Sequence, residues 1–237
     1  MQVKTSVQNL ESTASKVESE EIKELKKRKL KYDTNADGEI TEIDFGRTKA
    51  TAEKLKLLQK FPALEVLNLD KTELDDKGLA ALKSLKKLQV LSLEENPITN
   101  AGLENLKDLK TLEVLSLQKT KITGAGLKHI RDLKRLRVLN LSHTKVEDSG
   151  LEHLKNLTDI ETLAMQKVPA NGSGFVHLKN LKNLITLNLD DTIIKGDAML
   201  NFKDLPKIRI IYMRNAKVSR KSIRKLQDAQ PSLAVFQ

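Results

Sequence analysis

LEVLNLDKTELDDKGLAALKSLKK, residues 64–87, holds two periodicities in one short stretch. Leu67 and Leu69 alternate with polar residues, as a strand with one buried face requires. Leu79, Leu82 and Leu85 then recur at intervals of three and Leu88 extends the series, which makes a helical or 3₁₀ stripe. Between the two lie Thr72, a polar bend residue, and Asp75, whose carboxylate can accept from the orphan N–H groups of a helix start. Strand, bend, helix and return make one coil.

The same coil returns every 24 residues, with units starting at Ile40, Leu64, Leu88, Leu112, Leu136, Ile160, Leu184 and Ile208. No insertion interrupts them, and residues 233–236 read as a truncated ninth strand. A polar column of Thr48, Thr72, Asn96, Thr120, Thr144 and Thr192 is expected at the bends, pairing with backbone groups the turn leaves open; it breaks at Val168 and Ala216. Thr99, Thr123 and Ser219 are expected to cap helix starts as Asp75 does. A single coil cannot bury its leucines, because strand and helix each turn one apolar face inward. Stacked neighbours close that core and align the strands in parallel.

The shared pattern LxxLxLxxTxhxxxGLxxLxxLxx, with h apolar, resembles that of the leucine-rich repeat family. Its Thr at the bend and Gly-Leu at the helix start are similar to the bacterial 24-residue type. Over residues 40–236 the resemblance implies an α/β solenoid, a right-handed horseshoe with a concave parallel sheet and convex helices. It also implies a partner bound on the sheet or its rims. No functional residue carries over, since the consensus positions are core positions. The expected organisation is a tail and capping helix over 1–39, eight repeats over 40–231 and a strand cap over 232–237.

Composition narrows the chemistry. The chain has 237 residues, no Cys, 3 % aromatic residues and a net charge of +10. Absent cysteines exclude a disulfide framework, a thiol nucleophile and Cys-ligated metal centres. Leucine accounts for 40 of the 237 residues, consistent with a core built almost without aromatics. No apolar run approaches the roughly 18 residues of a membrane span, and MQVKTSVQNLESTASKVESEE has no signal-peptide core, so a soluble chain of unassigned compartment is expected.

Residues 1–39 precede the repeat. A helix over Glu20–Leu30, capped by Ser19 with Glu20 and Glu21 in its first turn, is expected to cover the first coil. Residues 1–15 are expected as a frayed tail, with a partner-binding heptad helix as the alternative. Asp33, Asn35, Asp37 and Asp44, with Gly38 between, resemble a calcium loop of EF-hand or dockerin type. That reading needs a helix near Glu42, where the repeat places its first strand. A turn into that strand is therefore expected instead.

His129, His153 and His177 are spaced by 24, so they stand parallel on successive helices rather than converging as a zinc site requires. Gly172 and Gly174 lie in a helix-start turn and lack a phosphate-loop signature. Nothing assembles a catalytic constellation, so no enzyme, cofactor or metal site is expected.

The charge has a location. The last nine residues of the eight units sum to +11, which places it on the helices. Lys83, Lys107, Arg131, Lys155, Lys179 and Lys203 form one column. Cations near helix C-termini complement the helix dipole; the alternative is a stripe for a polyanion, which without aromatics would bind non-specifically and fail in salt. On the strand face most outward residues are small and polar, with one aliphatic ridge through Val66, Val90, Val114 and Val138. Interface anchors favour Tyr, Trp and Arg, and the last coil alone offers them. Tyr212, Arg214, Arg209, Asn188, Asp190, Ser142 and Gln166 are the expected contact residues for a protein partner of a monomeric chain.

Overall fold

The computed structural model describes residues 19–237. The expectations for residues 1–15 lie outside the described residues. Helix α1, Glu20–Lys27, starts where Ser19 Oγ accepts from Ile22 N at 3.3 Å. It ends three residues before the expected Leu30. Lys29 turns into the left-handed region at φ 56° while Leu30 N donates to Leu25 O and Lys29 N to Lys26 O, the double closure that stops a helix and returns an apolar residue to its last turn. Leu25 and Leu30 are buried.

Among the described residues, ten strands form one sheet in chain order. They are β1 (Lys31–Thr34), β2 (Ile40–Asp44), β3 (Val66–Asn68), β4 (Val90–Ser92), β5 (Val114–Ser116), β6 (Val138–Asn140), β7 (Thr162–Ala164), β8 (Thr186–Asn188), β9 (Ile210–Tyr212) and β10 (Ala234–Phe236). From β2 onward every pairing is parallel with a 24-residue register, such as Leu67 on Leu91 and Leu115 on Leu139. That register is the sequence period itself, so each column of the repeat becomes a physical ladder. Strand β1 was not expected. It pairs antiparallel with β2, Tyr32 on Ile43 and Lys31 on Asp44, and covers the sheet edge together with α1.

The returns are mostly 3₁₀ turns, including Gly78–Ser84, Asp148–Leu154 and Ser173–Asn180, as apolar spacing of three favours. A regular α-helix of ten residues, Arg220–Ala229, closes the last full coil. Leu64, Leu88, Leu112, Leu136, Ile160 and Leu184 are fully buried, together with the strand and helix leucines facing them. Truncating one such side chain to Ala typically costs about 2–5 kcal/mol.

At the bends, Thr48, Thr72, Thr120, Thr144 and Thr192 each donate their hydroxyl to the carbonyl three residues back at 2.5–2.8 Å. Asn96 does more. Its Nδ2 donates to Leu69 O and Leu93 O, while its Oδ1 accepts from Thr72 N and Leu74 N, joining two coils through one buried amide. Just before each bend residue the chain passes through the left-handed region at Arg47, Lys71, Glu95, Lys119, His143, Lys167, Asp191 and Asn215.

Helix starts are capped partly as expected. Asp75 Oδ1 accepts from Gly78 N, and Thr99 Oγ1 from Ala101 N. Thr123 and Ser219 make no such bond. At the Thr123 start the caps come from neighbouring coils: Asn100 Oδ1 accepts from Thr123 N, and Glu147 Oε2 from Gly124 N. Asp148 takes the N–H groups of Asn171, Gly172 and Gly174 at 2.7–3.0 Å. This ladder needs close stacking, and a Cβ at Gly150 would collide with the Gly124 backbone of the preceding coil.

Candidate functional site

The 24-residue register stacks Tyr212 on Phe236, so parallel strands β9 and β10 bring two aromatic rings onto the open face. Their centroids are 5.2 Å apart and nearly parallel. The Arg214 guanidinium lies 5.6 Å from the Tyr212 ring centre, within cation–π range. Its position is imposed from beneath: Nε and Nη2 reach Asp190 Oδ2 at 3.1 and 2.8 Å, while Arg214 N donates to Asp190 Oδ1 at 2.7 Å. The Asp190 side chain is 5 % exposed and that of Arg214 62 %. The carboxylate is thus an internal strut and the guanidinium the presented group.

Asp190 and Ser142 were expected as contact residues, and both are buried. The reason is the end of each strand, where that column folds over the next coil. Asp70 Oδ1 accepts from Glu94 N, Ser142 Oγ from Gln166 N, and Asp190 Oδ1 from Arg214 N. A side chain spent on the neighbouring backbone has no face left for a partner. Asn188 is half-buried, with Oδ1 accepting from Asp190 N. Gln166 remains partly open and its Nε2 reaches Asp191 Oδ2 at 3.0 Å. Asn215 Nδ2 donates to the other Asp191 oxygen, and these two bonds hold the Asp191 carboxyl below the usual carboxylate range. Arg209 is exposed but lies apart from this cluster, before β9, with Nη1 donating to Ile208 O and Pro206 O.

Phe236 was not among the expected contact residues. It is 48 % exposed, and its position 24 residues after Tyr212 was the signal that could have found it.

Lys83, Lys107, Arg131, Lys155, Lys179 and Lys203 are all exposed on the helical side. Acids neutralise parts of the column, with Lys107 on Glu104 at 3.4 Å and Arg131 on Asp132 at 3.6 Å. The three helix histidines are partly buried. Burial, and secondly the Lys128 charge, lowers the His129 pKa below its usual value.

The calcium-like string is the tip of the β1/β2 hairpin. Asn35 Oδ1 accepts from Asp37 N and Glu39 N, Asp33 Oδ1 from Thr34 N, and Asp44 Oδ1 from Gly46 N. A strand stands where a calcium loop's following helix would begin. Among the described residues no group of three or more His, Cys, Asp or Glu side chains is placed to hold a metal ion. No helix among them is long and apolar enough to cross a membrane.

The leucine-rich repeat region family matches residues 46–236. No curated protein matches the chain. Among solved structures it is similar to internalin C2 of Listeria monocytogenes, at 22 % identity and TM-score 0.58, over 77 % of this chain and 80 % of that one. It is also similar to a leucine-rich repeat protein of Leptospira interrogans, at 20 % identity and TM-score 0.61, over 77 % of this chain and 45 % of that one. The chain therefore spans less than half of the Leptospira protein.

Proposed function

Because this chain belongs to the leucine-rich repeat family, as its match over residues 46–236 establishes, we propose that it is a non-enzymatic protein-binding module acting through its open strand face. The observation that carries this reading is the platform of Tyr212, Phe236 and Arg214. It combines exposed aromatic area with a cation whose geometry is fixed in advance by Asp190. Preorganisation of this kind lowers the ordering cost of binding. Asn188, Gln166 and Asp191 border the platform with polar groups suited to an interface rim. Ser142 and Asp190 serve as struts, and Arg209 lies outside.

The test compares proteins retained from source-cell lysate by the wild-type chain, by Tyr212→Ala/Phe236→Ala, and by Lys107→Glu/Arg131→Glu/Lys155→Glu, at about 150 mM salt. Loss of a specific retained protein with the first variant alone supports the platform. Unchanged retention sinks it.

A second reading, polyanion binding through the exposed column from Lys83 to Lys203, rests on the charge of the helical side. Heparin retention that survives physiological salt and disappears with the triple charge reversal would favour it over the first.

A further inference from the structure

Beyond the bends, backbone hydrogen bonds join some neighbouring coils and not others. Lys121 N donates to Ile98 O at 2.8 Å and Lys145 N to Ile122 O at 2.9 Å. The equivalent residue is a proline, without an N–H, in the coils on either side of these rungs: Pro97 before them and Pro169 after them. Beyond Pro169, Lys195 N donates to Asn171 O and Lys217 N to Thr192 O, in a different register. The carbonyls of Val146 and Ala170 receive no donor from the neighbouring coil among the described residues. The same coil carries Val168 where its neighbours carry Thr144 and Thr192, so the bend is apolar as well.

A groove of about 550 Å³ opens there, within the usual size range of ligand sites. Val168, Pro169, Ala170 and Ile193 give it an apolar lining, with Ile193 54 % exposed. Lys145, Lys167 and Lys195 also line it, all three exposed and none in an ion pair among the described residues. The one acid in the lining is Asp191, whose two oxygens already accept from Gln166 and Asn215.

We propose that this groove binds a short acidic peptide segment carrying one apolar anchor. Three lysines against one aspartate leave the lining cationic, which complements acidic side chains. Pro169 and Ile193, both exposed, suit an aliphatic anchor. Ala170, whose carbonyl receives no donor among the described residues, lies in the lining, and a peptide backbone brings N–H groups that a simple anion lacks. The groove shares Asp191 with the border of the aromatic platform and contains none of Tyr212, Phe236 or Arg214, so the two surfaces are tested separately.

The probe is a fluorescein-labelled peptide, Asp-Glu-Leu-Glu-Asp, followed by fluorescence anisotropy with two controls: the same peptide with Ser for Leu, and polyglutamate. Binding by the Leu peptide that falls at least tenfold with the Ser peptide, with Ile193→Ser and with Lys145→Glu/Lys195→Glu is the expected result. Ile193 is exposed, so its replacement leaves the fold intact, which circular dichroism checks. Tyr212→Ala/Phe236→Ala is expected to leave this affinity unchanged, which separates the groove from the platform. Equal binding of the Ser peptide or of polyglutamate, an unaltered affinity in Ile193→Ser, or no binding at millimolar peptide would overturn the proposal.

Discussion

The coils starting at Leu88 and at Ile160 share one backbone course and close their bends by opposite means. In the first, Asn96 is buried and its amide satisfies backbone groups of two coils at once. In the second, Val168 is also buried and its side chain bonds to nothing; a proline follows the bend residue in both coils, Pro97 in the first and Pro169 in the second. Both helix starts draw on a carboxylate of the coil before, Asp76 accepting from Thr99 N and Thr99 Oγ1 in the first and Asp148 accepting from three N–H groups in the second, and the first adds the Thr99 side chain as its own cap. Hydrogen bonding at the bend is therefore not what holds the solenoid course; the unbroken leucine core is.

The largest expected effect comes from removing what the Leu88 coil has. Asn96→Ala leaves Thr72 N and Leu74 N without their acceptor in a site that water does not reach. It should lower the urea unfolding free energy by about 2–4 kcal/mol. A loss below about 1 kcal/mol would mean that the amide is not the link between the coils. Next, Asp148→Ala withdraws the cap from three N–H groups of the Ile160 coil, at an expected cost of about 1–3 kcal/mol. If Asp76→Ala, in the regular part, costs more, the irregular coil is not the dependent one.

Smaller effects sharpen the contrast at the bend itself. Thr144→Val should cost about 1 kcal/mol through the lost bond to Leu141 O. Val168→Thr should gain up to about 1 kcal/mol, because the new hydroxyl finds Met165 O, a carbonyl that accepts from no other group among the described residues. Equal losses in both variants would show that apolar packing rules at each bend alike.

The smallest effect concerns pH. The folded His129 pKa lies below the unfolded value, so the unfolded chain binds the proton more readily. The stability this neutral side chain contributes is complete above about pH 6.5 and is lost as pH falls through the folded pKa. His129→Asn, the residue type found at Asn105 in the same column, should flatten the stability profile below about pH 6.5 relative to wild type. Superimposable profiles would rule this out.

The sequence carried the regular coils well because their information is periodic. The leucine columns, the bend threonines and the start of α1 all follow from spacing and local propensity. Strand β1 did not, because Lys31–Thr34 lies outside the repeat and becomes a strand only when β2 offers an edge. Ser142 and Asp190 misled for a related reason. Alternation along the strand assigns them outward, while the adjacent backbone N–H groups of Gln166 and Arg214 draw their oxygens inward. The Asp148 cap was equally hidden, since it links residues more than 20 positions apart.

By itself, the sequence determined the fold class, the register of every parallel strand pair and the identity of the core, because an uninterrupted period admits one stacking in which all leucines are buried together. Only the tertiary structure decided which polar residues remain free. Whether Arg214 presents its charge while Asp190 hides beneath it, whether Phe236 meets Tyr212, and whether a groove lies beside Val168 and Pro169 all depend on contacts between coils. Those contacts are set by distances of a few ångströms across the stack.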